Sequence, residues 1–335
     1  IMDSSSLLKL MLNPATYPVK PESVDMIQTH ISYLFLAGEY VYKVKKSVNF
    51  GFLDYSTLEK RKFYCDQEIR LNSRLSPEIY LGVSQITSEK GILSLDGKGG
   101  VEEYAVRMKR LPQDKMMDRM ILDKRVNKSS IREIAAKLVI FHQHADINDE
   151  ICKFGDRGII SKNIDENFIQ AEKYIGISLS KGEYNFIKDY SLRFIEGNRA
   201  LFKKRIDEKR IMDCHGDLRA EHICLTERIY IFDCIEFNDR FRYGDVASEV
   251  AFLAMDLDFF GEDDLSRYFV DSYRELSGDK DIMKLINFYK CYRAYVRGKV
   301  ESFKLDDPNV TSEEKEMSLN LATRHFKLAY AYARL

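Results

Sequence analysis

Residues 214–225 read CHGDLRAEHICL, and residues 231–238 read IFDCIEFN. The first segment ends in a short apolar run at 223–225, and the second begins inside another at 229–232. Runs of this kind form β-strands, and a three-residue polar turn separates the two. This pattern predicts a hairpin with His222 at the start of its first strand and Asp233 at the far end of its second. The returning chain would bring Asp233 close to His222 and to Asp217, which precedes the first strand.

These side chains suit phosphoryl transfer. That reaction needs a carboxylate beside the attacking hydroxyl and ligands that hold Mg²⁺ against the phosphates of ATP, but little covalent help from the protein. An aspartate on a turn, a ligand-type side chain five positions later and a second aspartate after a hairpin provide these groups. The sequence therefore favours an ATP-dependent phosphotransferase.

The first part of the chain is predicted to form a small antiparallel sheet that carries one helix. β-Branched and aromatic residues flank a turn at Gly38, which is typical of a hairpin. A stretch with helical apolar spacing starts with Ser56 and Glu59, which resemble a capping box, and ends before Pro77. The predicted elements are strands at 31–36, 40–44, 92–95 and 104–108 and a helix over 56–75.

After Pro112 the pattern becomes largely helical, because apolar residues recur at the spacing of one helix face. One helix is predicted to end near His144, and others are predicted over 164–176, 183–206, 245–259, 264–276, 282–304 and 313–334. The prediction is an α+β fold with a small N-terminal sheet lobe at 1–111, in which 1–25 is a leading segment, and a larger helical lobe at 112–335.

Composition excludes several classes of protein. The 335 residues carry a formal net charge of -1, which gives no global field for nucleic acid or an acidic membrane. Six cysteines without a CxxC pair indicate reduced thiols, and no uncharged apolar stretch approaches the ~20 residues of a membrane span. The N-terminal residues lack the pattern of a secretion signal, so the expectation is a cytoplasmic protein.

The order His-x-Asp, a ligand-type side chain, a hairpin and then Asp resembles the catalytic and metal-binding loops of the kinase superfamily. His-Gly-Asp is similar to the aminoglycoside phosphotransferase and choline kinase-like branch, as is GDVASEVA at 244–251. The segment 42–54 and the DCIEFN run resemble a bacterial subgroup, some of whose members are fused to a P-loop ATPase. This chain contains no Gly-x4-Gly-Lys-Ser/Thr stretch. The resemblance implies a two-lobed protein-kinase-like fold and raises the expectation of a separate partner ATPase.

The resemblance implies roles for four residues of the catalytic and metal-binding loops. Asp217 matches the catalytic base, and His215 matches the histidine that braces the loop. Asp233 matches the aspartate that binds Mg²⁺ between the β- and γ-phosphates. His222 stands where the family usually has asparagine, and imidazole suits softer ions such as Mn²⁺ better than Mg²⁺. Its role is open between a metal ligand and a packed histidine.

The resemblance also implies a nucleotide site in the N-terminal lobe. Lys43 matches the lysine that contacts the α- and β-phosphates, but Lys45 shares its strand face and remains an alternative. Glu68 is the expected ion-pair partner, with Glu59 and Asp66 as alternatives on the same helix. The connector at 107–111, with Met108 and Arg110, would receive adenine. The phosphate-covering segment, 24–32, contains no glycine.

The predicted function is transfer of the γ-phosphate of ATP, with Mg²⁺ or Mn²⁺, to a hydroxyl of a small-molecule acceptor. Acidic residues at 256–264 would suit a cationic acceptor, although a solvated helix end is the preferred interpretation. Two alternatives are a nucleotide-binding regulatory protein without turnover and an enzyme that transfers AMP to protein. The acceptor and the oligomeric state are not predicted.

Overall fold

A computed structural model describes residues 4–308 and 310–335, and for residue 4 only the backbone. Residues 1–3 of the predicted leading segment lie outside the described part. The elements, in chain order, are α1 (Ser4–Met11), β1 (Val24–Gln28), β2 (Ser32–Ala37), β3 (Tyr40–Lys45), α2 (Leu58–Asn72), β4 (Tyr80–Glu89), β5 (Ile92–Leu95), β6 (Gly100–Lys109), α3 (Met117–Leu122), α4 (Lys128–His144), α5 (Asp149–Cys152), α6 (Arg157–Ala171), α7 (Lys181–Gly197), α8 (Arg199–Asp207), β7 (Ile211–Asp213), β8 (Ile223–Leu225), β9 (Ile229–Ile231), α9 (Asp239–Arg242), β10 (Tyr243–Asp245), α10 (Val246–Phe259), α11 (Asp263–Ser277), α12 (Ile282–Phe303) and α13 (Ser312–Ala333).

The chain forms two compact units. The first runs to Met116 and includes His222–Asp239, and the second comprises Met117–Glu221 and Arg240–Leu335. The hairpin of β8 and β9 thus belongs to the first unit, although it lies within the predicted C-terminal lobe at 112–335.

The first unit contains a six-stranded antiparallel sheet in the order β1-β2-β3-β6-β4-β5. Side chains of a strand alternate between its two faces. Phe35, Tyr42 and Val44 pack on one face together with α1, and α2 lies on the opposite face with Val106 and the hairpin residue Phe232. The buried apolar residues on both faces hold this sheet between its helices.

The prediction of an antiparallel sheet with one packed helix is confirmed, with three corrections. Strands β1 and β4 were not predicted, and neither was α1. The proposed capping box would make Ser56 the N-cap of α2. The N-cap is instead the next residue, Thr57, whose side chain accepts from the N–H of Lys60. The capping box of Ser56 and Glu59 is therefore wrong, because Ser56 instead bonds to Asp54.

The second unit is helical around α10, in which residues 246–257 are buried on all sides. Helix α10 packs against α11 and α12, and α12 packs against α13. A two-stranded antiparallel pair of β7 and β10 precedes α10. The predicted helix over 183–206 is in fact two helices, which meet at Asn198, whose side chain amide bonds to the carbonyl of Phe194. Among the described residues, no helix has the length and apolar character needed to cross a membrane.

Candidate active site

Strand β3 places two lysines on the face of the sheet that packs against α2. Tyr42 and Val44 point into the opposite core, so Lys43 and Lys45 share the other face. Both lysines are buried, with 9% and 2% of their surface exposed. Buried ammonium groups require paired carboxylates, and the first unit supplies three.

Glu68, on α2, pairs with both lysines, one at each carboxylate oxygen. Nζ of Lys43 lies 2.9 Å from Oε1, as an ion pair outside hydrogen-bonding geometry, and Nζ of Lys45 donates to Oε2 at 2.7 Å. Burial alone would raise the pKa of Glu68, but the two lysines lower it, so the group stays ionised. Of the alternatives, Glu59 is exposed and Asp66 pairs with Lys62 at the helix surface.

Asp233, from the hairpin, completes the surroundings of Lys43. Nζ of Lys43 donates to Oδ1 of Asp233 at 2.8 Å, and Nε2 of His222 lies 3.6 Å from Oδ2. Burial would lower the pKa of Lys43, yet the carboxylates of Asp233, Glu68 and Glu236 raise it well above its usual value. The structure thus brings together four of the predicted site residues within the first unit.

The loop that carries Asp233 is anchored to the segment after α2. Asp233 has a φ of 60°, a left-handed conformation that aspartate tolerates better than most residues. Its N–H donates to the hydroxyl of Tyr80 at 3.1 Å, and the next N–H, of Cys234, donates to Oδ1 of Asn72 at 2.8 Å. The hydroxyl of Ser76 also donates to the carbonyl of Ile231 at 2.8 Å. These bonds hold the backbone that carries the Asp233 side chain, of which 44% is exposed.

A second ion-pair network in the first unit was missed by sequence reasoning. Lys45 donates to Glu236, and the hydroxyl of Tyr55 donates to the same oxygen, Oε1, at 2.6 Å. Burial would lower the pKa of Lys45, but Glu236 and Glu68 raise it. Two lysines on one buried strand face were the available signal that a second carboxylate was needed, but nothing local identified Glu236, which is 191 positions away.

The predicted adenine connector at 107–111 is not a separate segment, because its first three residues belong to the central strand β6. Met108 is paired with Val41 on one side and with Tyr80 on the other. The N–H of Lys109 donates to the carbonyl of Ile79, and the N–H of Arg110 donates to that of Glu39. An adenine base at this connector would therefore use other backbone groups than these two N–H groups.

The turn between β1 and β2 is stabilised by a threonine in place of glycines. The hydroxyl of Thr29 accepts from the N–H of Ile31 and of Ser32, at 3.3 and 3.0 Å. The ammonium of Lys46 donates to the carbonyl of Thr29 at 2.5 Å and lies over the ring of Tyr33. A side chain that bonds to its own turn gives a tight reversal without glycine.

In the second unit, Asp217 is held by Arg219. Nε and Nη2 of Arg219 donate to the two carboxylate oxygens of Asp217 at 2.9 and 3.1 Å, a bidentate pair. Arg219 also pairs with Glu221. Gly216, just before Asp217, has a φ of 90°, which a residue with a side chain rarely adopts.

A buried brace holds the backbone before Asp217. Glu249 accepts from the N–H of His215 and of Gly216, each at 2.8 Å, and Nε2 of His142 lies 2.9 Å from Oε2. Nδ1 of His142 is 2.7 Å from the hydroxyl of Tyr273. Burial would raise the pKa of Glu249, but His142 and His215 lower it to about 2. The resemblance at 244–251 covers Glu249, but nothing in the sequence indicated its partner His142.

The imidazole of His215 faces the loop as well. Its Nδ1 accepts from the N–H of Asp217 at 3.3 Å, and the residue is fully buried. Cys214 lies close to His142 and Glu249, within 4.8 Å between possible ligand atoms. Because both ring nitrogens of His142 and the Glu249 carboxylate already have hydrogen-bond partners, this cluster is a brace for the loop rather than a metal site.

The acidic residues at 256–264 serve the fold. Asp256 is buried and accepts from the N–H of Ala220 at 2.8 Å, and Oδ2 of Asp258 pairs with Lys290 at 2.8 Å. The preferred interpretation, a solvated helix end, therefore holds for Asp263 and Asp264, which are exposed, but it is wrong for Asp256 and Asp258. Asp217 belongs to the second unit and Asp233 to the first, and their predicted proximity stays a prediction.

The sequence predicts a kinase-like α+β fold, and the two units have its features. The antiparallel sheet unit presents a buried Lys–Glu pair, and the helical unit presents a His-Gly-Asp loop. Solved structures confirm this fold. A choline/ethanolamine kinase family protein from Mesorhizobium loti matches with a TM-score of 0.54 and 11% identity, over 98% of this chain and 99% of that one. An amicoumacin kinase in complex with AMP-PNP and Ca²⁺ matches with a TM-score of 0.54 and 14% identity, over 97% and 94% of the two chains. At these identities the similarity establishes the fold.

By sequence, the chain is 35% identical over 323 residues to an uncharacterized protein of Mycobacterium tuberculosis. The aligned residues make up 95% of this chain and 63% of that protein. The chain therefore spans less than two thirds of the length of this relative. No family model matches the chain. A putative aminoglycoside phosphotransferase from Ralstonia eutropha also matches, with a TM-score of 0.52 and 12% identity over 99% and 98% of the two chains. The resemblance to aminoglycoside phosphotransferases and choline kinases is therefore confirmed as a shared fold.

Proposed function

We propose that this protein is an ATP-dependent phosphotransferase that moves the γ-phosphate to a hydroxyl of a small-molecule acceptor. The observation that carries the proposal is the position of Lys43, whose ammonium lies 2.9 Å from Glu68 and 2.8 Å from Asp233. A charged lysine fixed beside a partly exposed aspartate is the arrangement that phosphates and their metal ion require.

Asp233 and His222 are the residues that would hold the divalent cation. The carboxylate of Asp233 is a hard oxygen ligand suited to Mg²⁺, and Nε2 of His222, 3.6 Å from it, adds a nitrogen ligand suited to Mn²⁺. The donor set therefore fits a divalent cation, with a weaker preference for Mg²⁺ than two oxygen ligands would give. When bound, the cation neutralises charge on the β- and γ-phosphates.

Asp217 would orient the acceptor hydroxyl and take its proton late in the transfer. Arg219 does not prevent this, because each carboxylate oxygen has two lone pairs and can accept a hydroxyl while it keeps the guanidinium. The Glu249 brace keeps the loop backbone in place, so the carboxylate is presented without reorganisation. Lys43 would contact the phosphates, and the connector with Met108 and Arg110 would lie beside adenine.

The AMP-PNP complex of the amicoumacin kinase is an experimental parallel for a nucleotide on this fold, and it supports ATP as the donor here. A separate ATPase as partner and a cytoplasmic location stay predictions.

The test is ADP release from ATP across a library of hydroxylated metabolites, with Mg²⁺ and then with Mn²⁺, for wild type and Asp217→Ala. The proposal predicts acceptor-dependent ADP release that the variant loses. Nucleotide-dependent thermal stabilisation without turnover under either metal would instead indicate a regulatory nucleotide-binding protein. A self-modified product that carries AMP, seen by mass spectrometry, would indicate nucleotidyl transfer.

A further inference from the structure

The second unit carries three arginines around the Asp217 loop, two of which the proposed function does not use. Arg219 lies on the loop itself, and Arg293 and Arg297 lie four residues apart on α12, so they share one helix face. We refer to these three residues as the arginine cluster. Three guanidinium groups around one loop need an account of their own, because like charges repel at short range.

Arg293 is fixed in place but has no carboxylate partner among the residues that the structure describes. Its Nη1 donates to the carbonyl of Gly216 at 3.4 Å, and its Nε donates to the hydroxyl of Ser248 at 3.1 Å. Its guanidinium also lies over the ring of Phe252, 4.6 Å from the centroid. The neutral groups around Arg293 thus orient its guanidinium next to the residue before Asp217 without supplying a negative charge.

Arg297 has one carboxylate partner, which it shares. Its Nη2 donates to Oε1 of Glu301 at 2.7 Å, and Lys304 pairs with the other oxygen of Glu301 at 2.8 Å. Burial and repulsion by Arg219 lower the pKa of Arg297, against the attraction of Asp217 and Glu301. A further negative charge near the cluster would relieve this unfavourable electrostatic environment.

Two acidic side chains of the same unit, at the end of α10, already have partners. Asp256 is buried against the N–H of Ala220, and Asp258 is paired with Lys290. A cationic acceptor that used either of these two carboxylates would have to break the bonds that they make. An anion, in contrast, would meet a guanidinium whose charge is not yet paired, and arginine recognises carboxylate and phosphate groups through parallel hydrogen bonds.

We infer that the acceptor of the proposed phosphotransferase carries an anionic group, a carboxylate or a phosphate, which binds Arg293 and Arg297 while its hydroxyl lies at Asp217. This inference rests on the proposed function. In the transfer, the acceptor oxygen forms a bond to the γ-phosphorus, the bond from that phosphorus to the β,γ-bridging oxygen breaks to give ADP, and the hydroxyl proton passes to Asp217.

The experiment compares four small hydroxylated probes that differ in charge: glycerol 3-phosphate, glycerate, glycerol and choline. Binding is measured by calorimetry in the presence of AMP-PNP, and turnover is measured by ADP release. Wild type is expected to bind the two anionic probes in preference to glycerol and choline. Arg293→Gln should weaken binding of the anionic probes at least tenfold, while the affinity for ATP changes less than twofold.

Two further variants complete the design. Arg297→Gln tests the second guanidinium and replaces Arg293→Gln if circular dichroism shows that the first variant is unfolded. Arg267→Gln is the matched control, because Arg267 is an exposed arginine on α11 that pairs with Asp264, and it should behave as wild type.

The outcomes separate this inference from the proposed function. Preferential binding or phosphorylation of glycerol or choline, no binding of either anion, or a loss of ATP affinity alone in Arg293→Gln would overturn the anionic acceptor. Anion binding that Arg293→Gln abolishes, without ADP release from any probe or from the metabolite library, would retain the anion site and refute phosphoryl transfer.

Discussion

Lys43 and Asp233 are 190 positions apart in the chain, and Nζ of the lysine donates to Oδ1 of the aspartate at 2.8 Å. The contact joins the sheet strand β3 to the end of the β8–β9 hairpin within the first unit. Lys45, two residues further along β3, makes the corresponding contact with Glu236, three residues after Asp233. The two lysines therefore differ in surroundings, since the side chain of Lys43 is 11% exposed beside a partly exposed carboxylate and that of Lys45 is fully enclosed.

Replacement of Lys43 should consequently affect activity, whereas replacement of Lys45 should affect stability. Lys43→Met should keep a cooperative fold and lower kcat on the order of 10²–10³-fold, because it removes a charge that the phosphates need. Lys45→Met should lower the free energy of unfolding by about 3–5 kcal/mol, because it leaves the buried carboxylate of Glu236 without the cation that pairs with it. Urea unfolding and ADP release measure the two effects. Equal loss of stability in both variants, with activity retained in Lys43→Met, would reverse the assignment in favour of Lys45.

The Glu249 brace should make the stability of the second unit dependent on pH in the acid range. The pKa of Glu249 is lowered from 4.5 to about 2 in the folded chain, so folding favours the ionised group. Its contribution is present in full above the unfolded pKa near 4.5 and is lost as the pH falls toward 2, by roughly 3 kcal/mol. Thermal unfolding between pH 2 and pH 6 measures this loss.

Glu249→Gln should remove that part of the acid dependence and be less stable than wild type at pH 7. Glu313→Gln, at an exposed position on α13, is the control and should keep the wild-type profile. A Glu249→Gln profile parallel to that of wild type from pH 2 to pH 5 would show that Glu249 is not the titrating group.

His222 should influence which metal ion supports nucleotide binding. His222→Asn replaces a nitrogen ligand 3.6 Å from Asp233 with an amide oxygen, so the variant should remain folded and shift its preference from Mn²⁺ toward Mg²⁺. Titration of AMP-PNP in each metal measures the ratio of affinities. His144→Asn, an exposed histidine at the end of α4, is the control. An unchanged ratio in His222→Asn would identify the histidine as a packing residue.

Much of the fold follows from local patterns in the sequence. The hairpin of β2 and β3 and that of β8 and β9 were predicted because short apolar runs flank turns, and most of the helices from α4 onward were predicted from apolar spacing. Strand β4 was missed because its sequence, YLGVSQITSE, mixes glycine and polar residues with apolar ones. Its extended conformation is stabilised by pairing with β6 and is not indicated by its own residues. The break at Asn198 was missed because apolar spacing continues across it.

The site could be predicted only as far as its motifs. Asp217, Asp233 and Lys43 stand out because their neighbours in sequence form recognisable patterns. Glu236 and His142 do not, because their roles come from partners far away in the chain: Lys45 for the first and Glu249 for the second. Long-range pairing of buried charges depends on the packed structure, and no local pattern encodes it.

The central claim is that Asp233 binds the metal ion of a bound nucleotide, and the most direct measurement is calorimetric titration of Asp233→Ala with ATP and Mg²⁺. The account predicts a folded variant, with circular dichroism like that of wild type, that has lost metal-dependent nucleotide binding. Asp264→Ala, at the exposed start of α11, should bind as wild type does. An Asp233→Ala variant that binds ATP with Mg²⁺ as tightly as wild type would contradict the account.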